Sequence, residues 1–322
     1  MKRWCIGLLA ALLLCGLAAC GGKDTDNISS GGAAAADTKL GLGCVATRMM
    51  EGDDKTRVKI TAAAVALDKD GKIQDCRIEE TEYMVSADGK PQDAAALVAK
   101  GEQGDAYGLT KKDTGGASEL KTSWKQQAHA FATFVRGKSA GEVSGIAATD
   151  GKSAEIEGCD LVITDFIEAV RKAADGAKKA AVGTGDELRL AMTTTKNGES
   201  TDTAPQFDTE LAAVAVNGGK VTACKTDTLQ TKLTVEDGKF TTMSGAIETK
   251  RMIGDGYGMK GASSLKKEWY EQADAFDSWC AGKTTAQLEG ATPDAAGKID
   301  GISGCTIAVS GMWKNLLKAV KE

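Results

Sequence analysis

Histidine is almost absent: the 322 residues contain one, His129. With no second imidazole and no Cys-x-x-Cys pair, the usual donor sets for a zinc site are missing, and no metal site is expected. No base is on hand for a serine or cysteine nucleophile, and no nucleophile elbow occurs, so a hydrolase is not supported. Aromatics make up 5% of the chain, so its cores must be built mainly from Val, Ile, Leu and Ala. Lys and Arg are scattered through a chain of formal net charge −5. The basic stripe that nucleic acid requires is missing, and no nucleic-acid partner is expected. After the first twenty residues no stretch approaches the roughly 18 apolar residues of a spanning helix.

What is present occurs twice. Residues 254–284 read GDGYGMKGASSLKKEWYEQADAFDSWCAGKT, and residues 104–139 read GDAYGLTKKDTGGASELKTSWKQQAHAFATFVRGKS. Each block opens on a Gly-Asp-x-Tyr-Gly turn. A helical pattern follows, with Leu120, Trp124, Ala128 and Phe131 on one face in the first copy and Leu265, Trp269, Ala273 and Phe276 in the second. Both patterns stop at a glycine, Gly137 or Gly282, which can take the left-handed conformation that ends a helix. A match of this length with the same punctuation is a duplication. His129 aligns with Asp274 on the outward side of the helix and reads as a surface residue.

The flanking segments repeat too. Apolar runs at 58–67 and 72–78 are joined by Asp70-Gly71, and runs at 211–216 and 220–224 by Gly218-Gly219, the local signature of a hairpin. Two strands are thus expected to open each copy. Strand-like stretches follow at 81–85 and 228–235, and short apolar runs at 143–146 and 288–291. Each copy closes on a second helix, over 163–174 with Phe166, Ile167, Val170 and Ala174 aligned, and over 309–321 with Met312, Trp313, Leu316 and Val320 aligned. Hairpin first and helix later argues for an α+β fold. The expected organisation is two tandem homologous domains, 41–175 and 186–322, each an antiparallel sheet opened by a hairpin and packed against two helices. A linker of about ten residues, 176–185, joins them.

Lys2 and Arg3, the apolar run 6–19 and the Leu17-Ala18-Ala19-Cys20 junction resemble a bacterial lipoprotein signal. The resemblance implies removal of residues 1–19 as a signal peptide and a lipid on Cys20. The protein would then be extracytoplasmic, anchored to the membrane without crossing it. Residues 20–40 are polar and Gly-rich, a flexible tether. Its roughly twenty residues could reach about 65–70 Å when stretched.

Six cysteines follow Cys20: Cys44, Cys76, Cys159, Cys224, Cys280 and Cys305. Cys76 and Cys224 end equivalent strands, and Cys159 and Cys305 sit in equivalent turns. In an exported protein this allows bridges Cys76–Cys159 and Cys224–Cys305. Small buried thiols satisfy the same pattern.

The turn Asp300-Gly301-Ile302-Ser303-Gly304-Cys305-Thr306 resembles the closing motif of the FMN-binding domain family, Asp-x-x-Ser/Ala-Gly-Ala-Thr/Ser. The strand–turn–strand openings VALDKDGKIQDCRIEE and AAVAVNGGKVTACKTD are similar to that family's N-terminal hairpin. The resemblance implies that a flavin transferase joins FMN through its phosphate to the Thr306 hydroxyl. Ser303 and Gly304 would shape the turn, and Asp300 would belong to the transferase's recognition pattern. A phosphate there would lie ahead of the last helix, where free N–H groups favour an anion. Cys305 stands where the family has Ala. The first copy has Glu157, Gly158, Cys159 and Asp160 at this place and no hydroxyl for flavin. Tyr107, Trp124, Tyr257 and Trp269 could stack on a flavin but fit a core better, and Asp105 and Asp255 read as turn formers. Two functions follow: a tethered flavin electron carrier served by a membrane redox partner, or a non-redox surface lipoprotein that keeps the fold without flavin.

Overall fold

The computed structural model describes residues 37–118 and 120–321; the signal sequence, Cys20 and the tether up to residue 36 lie outside the described residues. In the first half three strands, β1 (Lys39–Met50), β2 (Lys55–Leu67) and β3 (Ile73–Ser86), precede two long helices, α1 (Trp124–Phe134) and α2 (Thr164–Asp175). The second half repeats the order with β4 (Glu187–Lys196), β5 (Gln206–Asn217), β6 (Lys220–Lys232), α3 (Trp269–Cys280) and α4 (Ser310–Lys321). The chain is therefore mixed α+β with antiparallel sheets, β1-β2-β3 and β4-β5-β6. Even the local irregularities recur: the β2–β3 register shifts at Ala66/Leu67 and the β5–β6 register at Ala215/Val216.

Several boundaries differ from expectation. Each half begins with three strands, not two, and the last tether residues, 39–40, already belong to β1. The stretches 81–85 and 228–232 are continuations of β3 and β6, and beyond them Val235–Glu236 and Lys239–Phe240 form a separate ribbon across Asp237-Gly238. The runs at 143–146 and 288–291 begin inside short helices, Ala140–Ser144 and Thr285–Gly290, and run past their ends. Capping boxes from Ser139 to Glu142 and from Thr284 to Gln287 satisfy their first N–H groups. Leu120 and Leu265 precede α1 and α3, because the caps Ser123 and Glu268 start those helices at Trp124 and Trp269. Gly137 and Gly282 hold positive φ, 78° and 86°, and their N–H groups reach the carbonyls of Ile73 and Val221, both at 2.7 Å.

Alternate residues of the central strands face two different cores. On β2, Ala63, Val65 and Leu67 pack under α1 and α2 with Trp124, Phe131 and Phe166, while Ile60, Ala62 and Ala64 point the other way. On β5, Ala212, Val214 and Val216 pack under α3 and α4, while Leu211, Ala213 and Ala215 point away from those helices. The faces turned away from the helices meet each other in one shared core. The molecule is thus layered helix, sheet, sheet, helix, and the described residues form one compact unit. Each half keeps a core under its helices, but neither could leave its second apolar face in water.

The halves are also stitched by strands. Gly245–Ile247, from the second half, pairs with β1, and so does Lys178–Lys179 from the linker. The Tyr83 and Phe207 rings meet across the shared core at 5.3 Å.

Candidate functional site

The turn before α4 is held by a side chain of α3. The Thr306 N–H and Oγ1 both donate to Gln272 Oε1, at 2.8 and 3.1 Å. Gln272 is fully buried, and its Nε2 donates to Ser263 Oγ (3.0 Å) and the Lys267 carbonyl (3.3 Å). The first half copies the device. Buried Gln127 accepts the Asp160 N–H at 2.8 Å, and the Asp160 carboxylate accepts from Ser118 Oγ. The two glutamines were not singled out in the sequence, although the shared Trp-x-x-Gln-Ala pattern carries them.

Thr306, Ser303 and Asp300 are exposed. Gly304 has φ +83°, and a Cβ there would stand 3.0 Å from Lys267 Nζ, so the absence of a side chain lets an ammonium approach the turn. One expectation needs correction. The helix begins at Ser310, four residues past Thr306, and the N–H groups of Val309 and Ser310 are already taken by the Gly297 carbonyl at 2.7 and 3.1 Å. The anion-favouring charge beside the turn is therefore Lys267, not the helix end. An exposed threonine with a lysine near its turn fits a phosphodiester, provided the hydroxyl gives up its hydrogen bond to Gln272. The cavities of about 310–400 Å³ have other linings, none including residues 300–306.

Of the two readings of the cysteines, the bridges Cys76–Cys159 and Cys224–Cys305 or small thiols, the structure has thiols: Cys44, Cys76, Cys159, Cys224, Cys280 and Cys305 are all free. Cys224 meets Cys280 rather than Cys305, because β6 runs beneath α3. Cys76 and Cys159 lie in the core under α1 and α2, where burial pushes their thiols up to about 12 and about 11. They are protonated core residues.

Trp124 and Trp269 are buried, as core residues should be. Tyr107 donates to Asp113 at 3.0 Å, and Asp255 accepts from Tyr270 at 3.1 Å. His129 is exposed.

Two buried charge clusters distinguish the halves. In the first, Lys100, 3% exposed, joins Glu80 at 2.6 Å and Asp113 at 2.5 Å. In the second, Arg251 reaches Asp274 (2.5 Å), Asp277 (2.6 Å) and the Thr226 carbonyl (2.5 Å), tying α3 to β6. The first half has Gly101, His129 and Ala132 at those places, so this clamp belongs to the second half alone.

A carboxylate has also changed strands. Thr61 on β2 donates to Glu80 on β3, whereas in the second half Thr228 on β6 donates to Glu210 on β5, each at 2.7 Å. Glu210 packs beneath Gly311, and burial pushes it from the ordinary 4.5 up to about 7. Between those values the folded chain holds a proton that the unfolded chain has released, so stability falls as pH rises through that window. Glu210→Gln is expected to remove this loss and to be more stable than the parent at pH 8 by up to about 3 kcal/mol. Urea unfolding at pH 5 and pH 8 checks it; an equal loss in parent and variant would acquit Glu210.

No protein-family model matches the chain, and comparison with curated proteins and with solved structures returns no match.

Proposed function

We propose that the chain is a membrane-anchored, extracytoplasmic lipoprotein built from two copies of one FMN-binding-like unit closed face to face, and that its second copy carries FMN on Thr306. The observation that carries this is the exposed position of Thr306 in the Asp300–Thr306 turn, beside Gly304 and the Lys267 ammonium, with Gln272 Oε1 as the hydroxyl's partner, a bond that esterification would break. The repeated element order, the paired register shifts and the matching glycine stops support the duplication. When bound, the flavin supplies reversible uptake of one or two electrons. The chain's own part is to hold the phosphate end and, through the tether, to move the group between a membrane redox partner and an acceptor. A covalent link suits an exported carrier, from which a diffusible cofactor would be lost.

A second reading has its own observation. The turn is anchored by Gln127 in the first copy, which lacks a hydroxyl, as it is by Gln272 in the second. The turn thus serves folding without flavin, which favours a non-redox binding or structural module. Co-expression with a flavin transferase separates the two. Fluorescence and added FMN mass should stay with the denatured chain and vanish in Thr306→Ala. A parent chain that carries neither would sink the carrier reading.

A further inference from the structure

Two grooves occupy equivalent places in the two halves, and they differ in charge. The first, about 310 Å³, runs between β3, α1 and β4. Its cations Arg77, Lys125 and Arg189 face three carboxylates, Glu79, Glu102 and Glu187. The second, about 380 Å³, runs between β6, the turn at Arg251 and the β1–α2 side of the first half. Five cations line it, Arg171, Lys172, Lys178, Lys225 and Arg251, against Asp175 and Asp227. An excess of cations in one groove of a chain with net charge −5 needs a physical account.

Three of the five are spoken for. Arg171 binds Glu168 and Asp175, Lys178 binds Asp274, and Arg251 binds Asp274 and Asp277. The other two meet only backbone carbonyls. Lys172 Nζ donates to Cys44 at 3.2 Å, and Lys225 Nζ donates to Gly176 at 2.5 Å. Lys225 is only 8% exposed. An ammonium has three donors, and a buried one with no carboxylate in a hydrogen bond or ion pair is costly; Asp277 and Asp227 attract it without such a contact. Its equivalent in the first groove, Arg77, is paired with Asp75 at 2.7 Å. Burial, then repulsion from Arg251 and Lys178, lowers Lys225 to about 8. Met252 and Tyr270 stand where the first groove has Glu102 and Lys125, so the wall beside these cations has become more apolar.

We propose that the second groove binds a small organic anion, its charged group held between Lys172 and Lys225 and its apolar part against Met252 and Tyr270. The groove's linings do not include the Thr306 turn, so the assignment stands whether or not flavin is attached.

The test is calorimetric titration of the full-length chain in detergent, in buffer free of other multivalent anions, with phenyl phosphate and with inorganic phosphate as probes. Phenyl phosphate should bind saturably at one site and more tightly than inorganic phosphate. Lys225→Met and, separately, Lys172→Gln should each weaken it tenfold or more, whereas Arg77→Gln in the opposite groove should leave it unchanged. Lys172 is only partly buried, so its variant keeps the test open if Lys225→Met misfolds. Absence of saturable binding by the parent chain overturns the proposal, and so does binding that Lys172→Gln leaves intact or that Arg77→Gln weakens equally.

Discussion

Lys100→Met is expected to cost about 3–5 kcal/mol, because removing one partner of a buried ionic cluster leaves Asp113 without a cation, while Glu80 keeps only the cation Lys59, at 3.3 Å. Lys100 lies between Glu80 and Asp113, and Tyr107 also donates to Asp113. Burial alone would raise Asp113, but the Lys100 charge and hydrogen bond, with Thr110, hold it below the ordinary carboxylate range. Without the lysine, burial wins and the carboxyl takes a proton at higher pH. The deficit of the variant should therefore be largest at pH 7 and shrink as pH falls toward 4. Urea unfolding at those two pH values measures it. A Lys100→Met, Asp113→Asn double variant should recover part of the loss. A deficit below about 1 kcal/mol at pH 7 would mean that the cluster adds little beyond what replaces it.

The second large effect concerns a residue with no side chain. Gly43 on β1 lies directly beneath α2. A Cβ there would collide with the Ala169 carbonyl oxygen and the Ala173 backbone, closer than real Cβ atoms approach. These neighbours are backbone, so no rotamer change can make room, and the helix must lift. Lifting it uncovers Phe166, Ala169, Val170 and Ala173. Gly43→Val is expected to cost about 3 kcal/mol or more, at the upper end of overpacking. Gly141, in a short exposed helix with nothing near its Cβ position, is the control, and Gly141→Ala should be neutral or slightly stabilising. Thermal unfolding of both variants checks the contrast; equal midpoints would show that α2 is not seated on β1 as described. The equivalent position under α4 is Ala191; in the second half the close glycine is on the helix instead, Gly311 over Glu210.

That glycine also explains why β1 escaped notice in the sequence. Gly41 and Gly43 interrupt any run of β-formers, and a glycine inside a strand often marks a site where another backbone approaches closely. The hairpins were legible because Asp-Gly and Gly-Gly turns sit between apolar runs. The helices were legible because Trp, Ala and Phe recur at helical spacing in both copies. In the site, the heptad ending at Thr306 stood out as a short contiguous pattern. Gln272, thirty-four residues away, did not, although it holds the threonine. Lys172 and Lys225 could not have been paired by reading, since they come from different halves and their partners are carbonyls of yet other segments.

By itself the sequence determined what depends on neighbours along the chain: the repeated pattern, the periodic faces, the turns and the helix stops. Only the tertiary structure decided that the two sheets close on each other, that Cys224 lies against Cys280, and that one groove is cationic while its twin is balanced. Local pattern specifies which face of an element must leave water, but not which distant face it will meet. That choice follows from burying every apolar surface at once and from finding a partner for each polar group carried inside with it.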